Sequence, residues 1–264
     1  MKKENNKLLI SVIGIIVILV VLCILFATNT ISFNNKNNET SNNQDVENKY
    51  VISYDDDIYI SKNNNNIEIS QNKRNIVSIK NDSNPTSANL IQTKLNEISD
   101  FNWNKSIKPM ADSVALDSTN YDNLGVNYLF ETGEINDNRL TFIANMSGSF
   151  GGVSWTSNEG YNFDAKTGEL LDLNSIGTGV YDYLYNKSIS EIENNKDENY
   201  CLYNDWKNKV EKSLNIAGNW YFTKSGIRVV FPKNSIGCSA QDITYVDIDK
   251  SDINSYLKDV YKIS

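Results

Sequence analysis

Residues 8–27 run from Leu8 to Ala27 without a charge, and only Ser11 and Gly14 interrupt their apolar character. Coiled as a helix, such a run spans about 30 Å, the hydrocarbon thickness of a bilayer. Lys2, Lys3 and Lys7 stand before it and no basic cluster follows closely. The positive-inside rule then keeps 1–7 in the cytoplasm and sends the rest of the chain across the membrane. A cleaved signal peptide has a shorter apolar core and small residues at both positions that govern the cut; Ala27 suits this and Leu25 does not. Leu22 before Cys23 is too large for a lipoprotein signal, and a buried core helix would show a more polar solvent face. The expectation is a single-pass anchor in the cell membrane, with an extracytoplasmic body. Cys23 lies within it as an apolar residue.

The body must be explained without histidine, since the chain has none. That excludes Ser-His-Asp and Cys-His nucleophile pairs, imidazole bases and His-ligated zinc. Three cysteines are too few for an all-cysteine zinc site. No catalytic residue, metal or cofactor is assigned, and binding is expected rather than enzymatic activity. The chain carries 25 basic against 33 acidic residues, and setting aside Lys2, Lys3, Lys7 and Glu4 makes the external part more acidic still. Such a surface repels nucleic acid and attracts cationic partners. About forty asparagines favour turns, caps and polar surface over buried regular structure.

Residues 28–48, rich in Asn, Ser, Thr and Glu, read as a solvated stalk. In the remainder, short β-branched or aromatic runs at 50–54, 58–60, 67–69 and 76–79 are separated by Asp55-Asp56-Asp57, by Asn63 to Asn66 and by the polar segment 71–74. This spacing suggests hairpins, with the aspartates in a turn. Ser83-Asn84-Pro85 breaks the chain and leads into a helix whose Ile91, Leu95 and Ile98 share a face. Strands follow at 126–130, 140–146 and 153–163, with a hairpin loop at 134–138. A helix from Val180 ends at Asn194-Asn195, and Trp206, Val210 and Leu214 continue a weaker helical pattern. Strands at 220–223 and 227–231 pair across Lys224-Ser225-Gly226, and another runs over 243–248. Ile253, Tyr256, Leu257 and Val260 predict a closing helix capped near Ser251 or Asp252. The class is α+β, with antiparallel sheets and packed helices preceded by one transmembrane helix. Two α+β parts are expected, 49–160 and 161–264.

Several segments invite a functional reading. Cys201 and Cys238, both external, form a disulfide or remain two free thiols. Asp247, Asp249 and Asp252 are explained by a strand end entering a helix cap. The cluster GSFGGVSW, 148–155, lets the backbone take positive φ or brings another surface close, and Trp155 beside it is core or an exposed aromatic anchor. The loop at 232–242 is long for its neighbours, and long ordered loops on rigid strands often carry binding.

The order of a helix after a break, a strand ending in Gly151-Gly152, the turn NFDAKTG (162–168) and NWYFTKSG (219–226) before a strand ending Phe231-Pro232 resembles a known family. It is similar to the external portion of RsiV anti-sigma factors and of PdaC-type peptidoglycan deacetylases, over roughly 76–248. The resemblance implies a receptor for lysozyme, or a similar cationic wall-active protein, whose strand-loop elements enter the enzyme's cleft. It implies contact through Gly151, Gly152, Trp155, Phe231, Pro232, Ile236 and Ala240. Val153-Ser154 stands where the family has Ala-His, and Lys233, Asn234, Ser235, Gly237, Cys238 and Ser239 depart from its Pro- and Tyr-rich loop. Seven residues before the anchor cannot fold into a sigma-binding domain, and the chain lacks the deacetylase's metal-binding histidines. The reading is therefore an anchored binding protein that contributes to lysozyme resistance; an accessory binder of peptidoglycan or other wall glycan is the alternative, and a carboxylate-based hydrolase a weaker third.

Overall fold

In the computed structural model, which describes residues 50–116, 125–150, 153–195, 201–238 and 243–264, the four short runs at the start merge into two long strands, β1 (Val51–Lys62) and β2 (Glu68–Lys80). The three aspartates do not make a turn, and 71–74 is not a break. Each is the other's partner: Asp56 meets Lys73 at 2.8 Å and Asp57 meets the Arg74 Nε at 2.7 Å across the antiparallel ladder. Opposite charges facing each other make a strand tenable where like charges alone would oppose it. The asparagine run does turn the chain, with the Asn63 carboxamide accepting from the Asn65 and Ile67 amides and Asn66 at φ 60°.

β3 (Gly125–Ile135), β4 (Arg139–Phe150) and β5 (Val153–Asp164) complete a five-stranded sheet in the order β1-β2-β3-β4-β5. All neighbours are antiparallel except β2 and β3, whose parallel ladder pairs Lys73 with Asn127 and Arg74 with Tyr128. Beyond Arg74 side-chain amides take over the hydrogen bonding. The Asn75 carboxamide exchanges two bonds of 2.8 Å with the Phe130 backbone. From α1 (Pro85–Asn102), Asn96 exchanges two with Val77, and Gln92 accepts from the Ile79 amide. Asn72, fully buried, accepts from the Val126 amide. Buried backbone groups must be paired, and a carboxamide carries the same donor and acceptor as a peptide. Asparagine therefore does buried work here, against the reading from composition.

α1 begins as its sequence predicts, with Pro85 in its first turn and the Asn84 side chain accepting from Ser87 N. Its Ile91 and Leu95 are buried, and Ile98 is partly buried. The helix passes through a π turn at Trp103–Ile107 into α2 (Lys108–Leu116); the turn places Trp103 and Ile107 in the core. Arg74 ties these layers together by pairing Asp57 of β1 and Asp100 of α1.

The second core lies under β6 (Trp220–Thr223), β7 (Gly226–Phe231) and β8 (Thr244–Asp249), an antiparallel sheet in that order. Against it pack α3 (Val180–Asn194) and α4 (Trp206–Leu214), with Leu184, Ile192, Val210 and Leu214 buried. The predicted closing helix is instead one turn, α5 (Lys250–Ile253), capped by Asp249, then a 3-10 turn at Asp259–Tyr261. The chain bends because Tyr256 O accepts from the Thr178 amide and the Lys258 amide donates to Ile176 O, which puts Leu257, Tyr261 and Ile263 all in the core.

The sheets join at β5, which runs across position 160. The Gly160 amide donates to Gly218 O at 2.7 Å. A Cβ on Gly160 would lie 2.2 Å from the Tyr221 ring, so only glycine permits this approach. Two residues on, the buried Asn162 accepts from Phe222 N and donates to Trp220 O. Both cores belong to one unit, Val46–Ser264. The architecture is α+β with antiparallel pairing and packed helices. Among the described residues no helix is long and apolar enough to cross a membrane; the expected anchor at 8–27 and stalk at 28–48 lie outside them.

Candidate functional site

β5, which carries Trp155, and β8, which follows the 232–242 loop, are joined by a side-chain hydrogen bond. In the β4–β5 hairpin, Trp155 faces Gly148 across the ladder. A Cβ on Gly148 would come within 2.6 Å of the indole, so this glycine serves close approach. The ring is half-buried against the first core. Three residues along β5, Asn158 accepts from the Tyr245 hydroxyl at 2.7 Å and donates to Asn145. Tyr245 stands on β8, just past the far arm of the 232–242 loop, and is 40% exposed. Its ring lies under the Arg228 guanidinium at 5.1 Å. That guanidinium is held by both oxygens of Asp247, at 2.6 and 2.8 Å. Trp155 and Tyr245 thus stand on two sheets, Trp155 held by packing on Gly148 and the first core and Tyr245 by Asn158 and Arg228.

The loop itself is stapled. Cys201 and Cys238 are disulfide-bonded with their Cα atoms 5.4 Å apart. The Cys238 amide donates to Cys201 O, and the Tyr203 amide to Ile236 O. Phe231 and Ile236 are sealed in the second core, where they anchor the loop. Pro232 is half-buried, while Lys233 and Asn234 face solvent, Asn234 at φ 67°. Gly151, Gly152 and Ala240 lie outside the described residues. Asp247 and Asp249 have the structural partners already named, Arg228 and the α5 cap.

Sequence reasoning did not reach a second feature. A groove of about 460 Å³ is lined by Lys94, Ile98, Phe101 and Asn102 of α1, Tyr161 of β5, and Leu170 and Ala217. A neighbouring hollow of about 290 Å³ shares Leu170 and Ala217 and continues past Asp172, Tyr181 and Trp220. Behind Tyr161 and Asn102 sits Glu159, whose Oε2 accepts from the Tyr161 hydroxyl at 2.6 Å, the Tyr128 hydroxyl at 3.3 Å and the Asn102 amide at 3.4 Å. Burial, reinforced by the Glu159 charge, pushes both tyrosines well above the ordinary phenol range. They remain neutral donors. Phe101 is 64% exposed at the rim. The available signal was an apolar residue off the buried face of a predicted helix, which sequence alone cannot tell from ordinary surface.

A third region shows why the turn NFDAKTG keeps its form. Asp164 accepts from the Lys166 and Thr167 amides and from the Tyr261 hydroxyl, and Gly168 takes φ 78°. Although burial opposes it, these bonds hold the Asp164 carboxyl below its usual range. The site is structural: it fastens the end of the first sheet to the chain's C-terminal segment.

No protein-family model and no curated protein matches the sequence. Among solved structures the chain is similar to a DUF3298 family member from Bacteroides fragilis NCTC 9343, at 13% identity and a TM-score of 0.54 over 83% of this chain and 98% of that one. It is also similar to a DUF3298 family protein from Pseudomonas aeruginosa PAO1, at 12% identity and a TM-score of 0.47 over 82% and 97%. What the first of these DUF3298 proteins shares with this chain is the fold.

Proposed function

We propose that the chain is a membrane-anchored extracytoplasmic binding protein that captures lysozyme, or a similar cationic wall-active protein, and so contributes to lysozyme resistance. The observation that carries this reading is the Tyr245–Asn158 bond at 2.7 Å. It ties β5, the strand that carries Trp155, to β8, the strand that follows the 232–242 loop, and so supports a rigid frame beside the two segments that the RsiV-like resemblance assigns to contact. Rigid aromatic side chains on such a frame bind without a large ordering cost. The net charge of −8 would speed encounter with a basic protein more than it sets final affinity.

The test is titration of the full chain, in lipid nanodiscs, with hen lysozyme at low and moderate salt. Saturable binding that weakens with salt, and that Trp155→Ala and Tyr245→Ala reduce while the fold persists, is expected. No binding at micromolar concentrations in either buffer would remove the reading. A wall-glycan binder is the second reading, favoured by the adjacent carboxamides of Asn145 and Asn158 beside the exposed Tyr245 ring, a combination suited to sugar hydroxyls and a ring face. Retention of the chain on insoluble peptidoglycan without lysozyme would select it.

A further inference from the structure

We infer that α1 carries a self-association surface: its exposed face pairs, antiparallel and about a two-fold axis, with α1 of a second copy of this chain. The inference is independent of the lysozyme reading and uses none of its contact residues.

Leu90, Lys94, Glu97 and Phe101 recur at the spacing that keeps residues on one face of a helix. All four are exposed, Leu90 at 49% and Phe101 at 64%, although Ile91 and Leu95, each next in the chain to one of them, are buried. The helix therefore buries one stripe and leaves a second open, with a large apolar residue at each end. Between these ends Lys94 and Glu97 pair at 3.5 Å, both in contact with solvent. Asp100, the next acidic residue, is already taken by Arg74 at 2.6 Å. The stripe is thus electrically neutral on a chain of net charge −8, where two copies would otherwise repel each other.

The order of the four residues selects the occupant. Turned about the midpoint between Lys94 and Glu97, the order apolar, basic, acidic, apolar meets itself as apolar on apolar and basic on acidic. Leu90 of the second copy lies against Phe101, and Lys94 of the second copy against Glu97, each contact made twice as a two-fold interface requires. An in-register parallel arrangement would instead set like charges together. Beside Phe101, the groove with Ile98, Leu170 and Ala217 in its lining extends the apolar surface, and Ile216, next to Ala217 in the chain, is 54% exposed. A cationic partner would find no net charge here to draw it. The stripe covers only about 16 Å of helix, so a reversible dimer is expected rather than an obligate one.

Sedimentation velocity of the full chain in density-matched detergent tests this. The unaltered chain should dimerise at roughly 10–100 µM. Phe101→Asp, Lys94→Glu and Glu97→Lys should each weaken association about tenfold or more, with circular dichroism unchanged. An equimolar mixture of the Lys94→Glu and Glu97→Lys chains should regain it, because in the mixed dimer each glutamate at these positions faces a lysine of the other copy. Neither chain alone has an opposite pair there, so a role of Lys94 and Glu97 confined to one helix predicts no recovery. A monomer at 100 µM and above would overturn the inference, as would a dimer that survives all three substitutions or a mixture that fails to associate.

Discussion

At the scale of single residues, the molecule depends on a few polar groups placed where water cannot reach. Arg139 is 1% exposed; it donates to Glu134 at 2.7 Å and to Tyr261 O at 2.9 Å, and lies over the Phe222 ring. It therefore links β4, the second sheet and the C-terminal segment. Arg139→Met should destabilise the chain by about 3–5 kcal/mol, because Glu134 is left with a largely buried unpaired charge. Urea denaturation checks this, and adding Glu134→Gln should recover part of the loss. Asp164 supplies a pH dependence. Its folded-state pKa is lowered, so the stability it contributes is present above the unfolded value of about 3.9 and is lost as pH falls through the folded value. Asp164→Asn should flatten the acid limb of the stability profile below about pH 4, and midpoints measured from pH 6 downward would show it. Neither role was legible in the sequence. Arg139 looks like any strand-edge cation, and each of the two residues has one partner, Tyr261, more than ninety positions away.

At the scale of elements, hydrophobic pattern located most helices and strands but misplaced their joints. α1, α3, β6 and β7 follow from apolar spacing and turn residues. β1 and β2 do not, since their charged middles look like loops until each is set against the other. The closing helix failed for the opposite reason: its periodicity is real, but backbone bonds to Ile176 and Thr178 compete successfully with helical ones. The gap between β2 and β3 makes a prediction at this scale. Asn75→Ala would orphan the buried Phe130 N–H and C=O and should cost about 2–3 kcal/mol, more than one ordinary hydrogen bond. Loss of amide protection at Phe130 under hydrogen exchange would report it locally. The disulfide joins residues 37 apart, so the Cys201→Ala, Cys238→Ala pair should lose about 4 kcal/mol on the chain-entropy model, the loop falling slack first.

At the scale of the whole molecule, the two sheets meet at β5, and the proposed contact residues Trp155 and Tyr245 stand one on each sheet. Gly160→Val would drive a side chain into Tyr221 and should disturb both cores together. A single cooperative transition, shifted to lower temperature and accompanied by weaker lysozyme binding, is the expected outcome. Placement in the envelope is tested separately. A maleimide probe added outside intact cells should label Lys233→Cys on the exposed loop, and failure to do so would remove the external topology and the proposed partner with it.

The sequence by itself determined the α+β class, the candidate anchor at 8–27, the exclusion of imidazole chemistry and the two segments proposed for contact. These rest on local properties: apolar length, strand and helix period, and which residue types are present. Tertiary structure decided that β5 and β8 are tied together by Asn158 and Tyr245, that Phe231 and Ile236 are anchors within the core, and that the Glu159 carboxylate sits between two tyrosines. It also decided that asparagine side chains stand in for missing strand partners. The physical reason is the same in each case. A buried polar group takes its meaning from whichever donor or acceptor faces it, and that partner lies far along the chain.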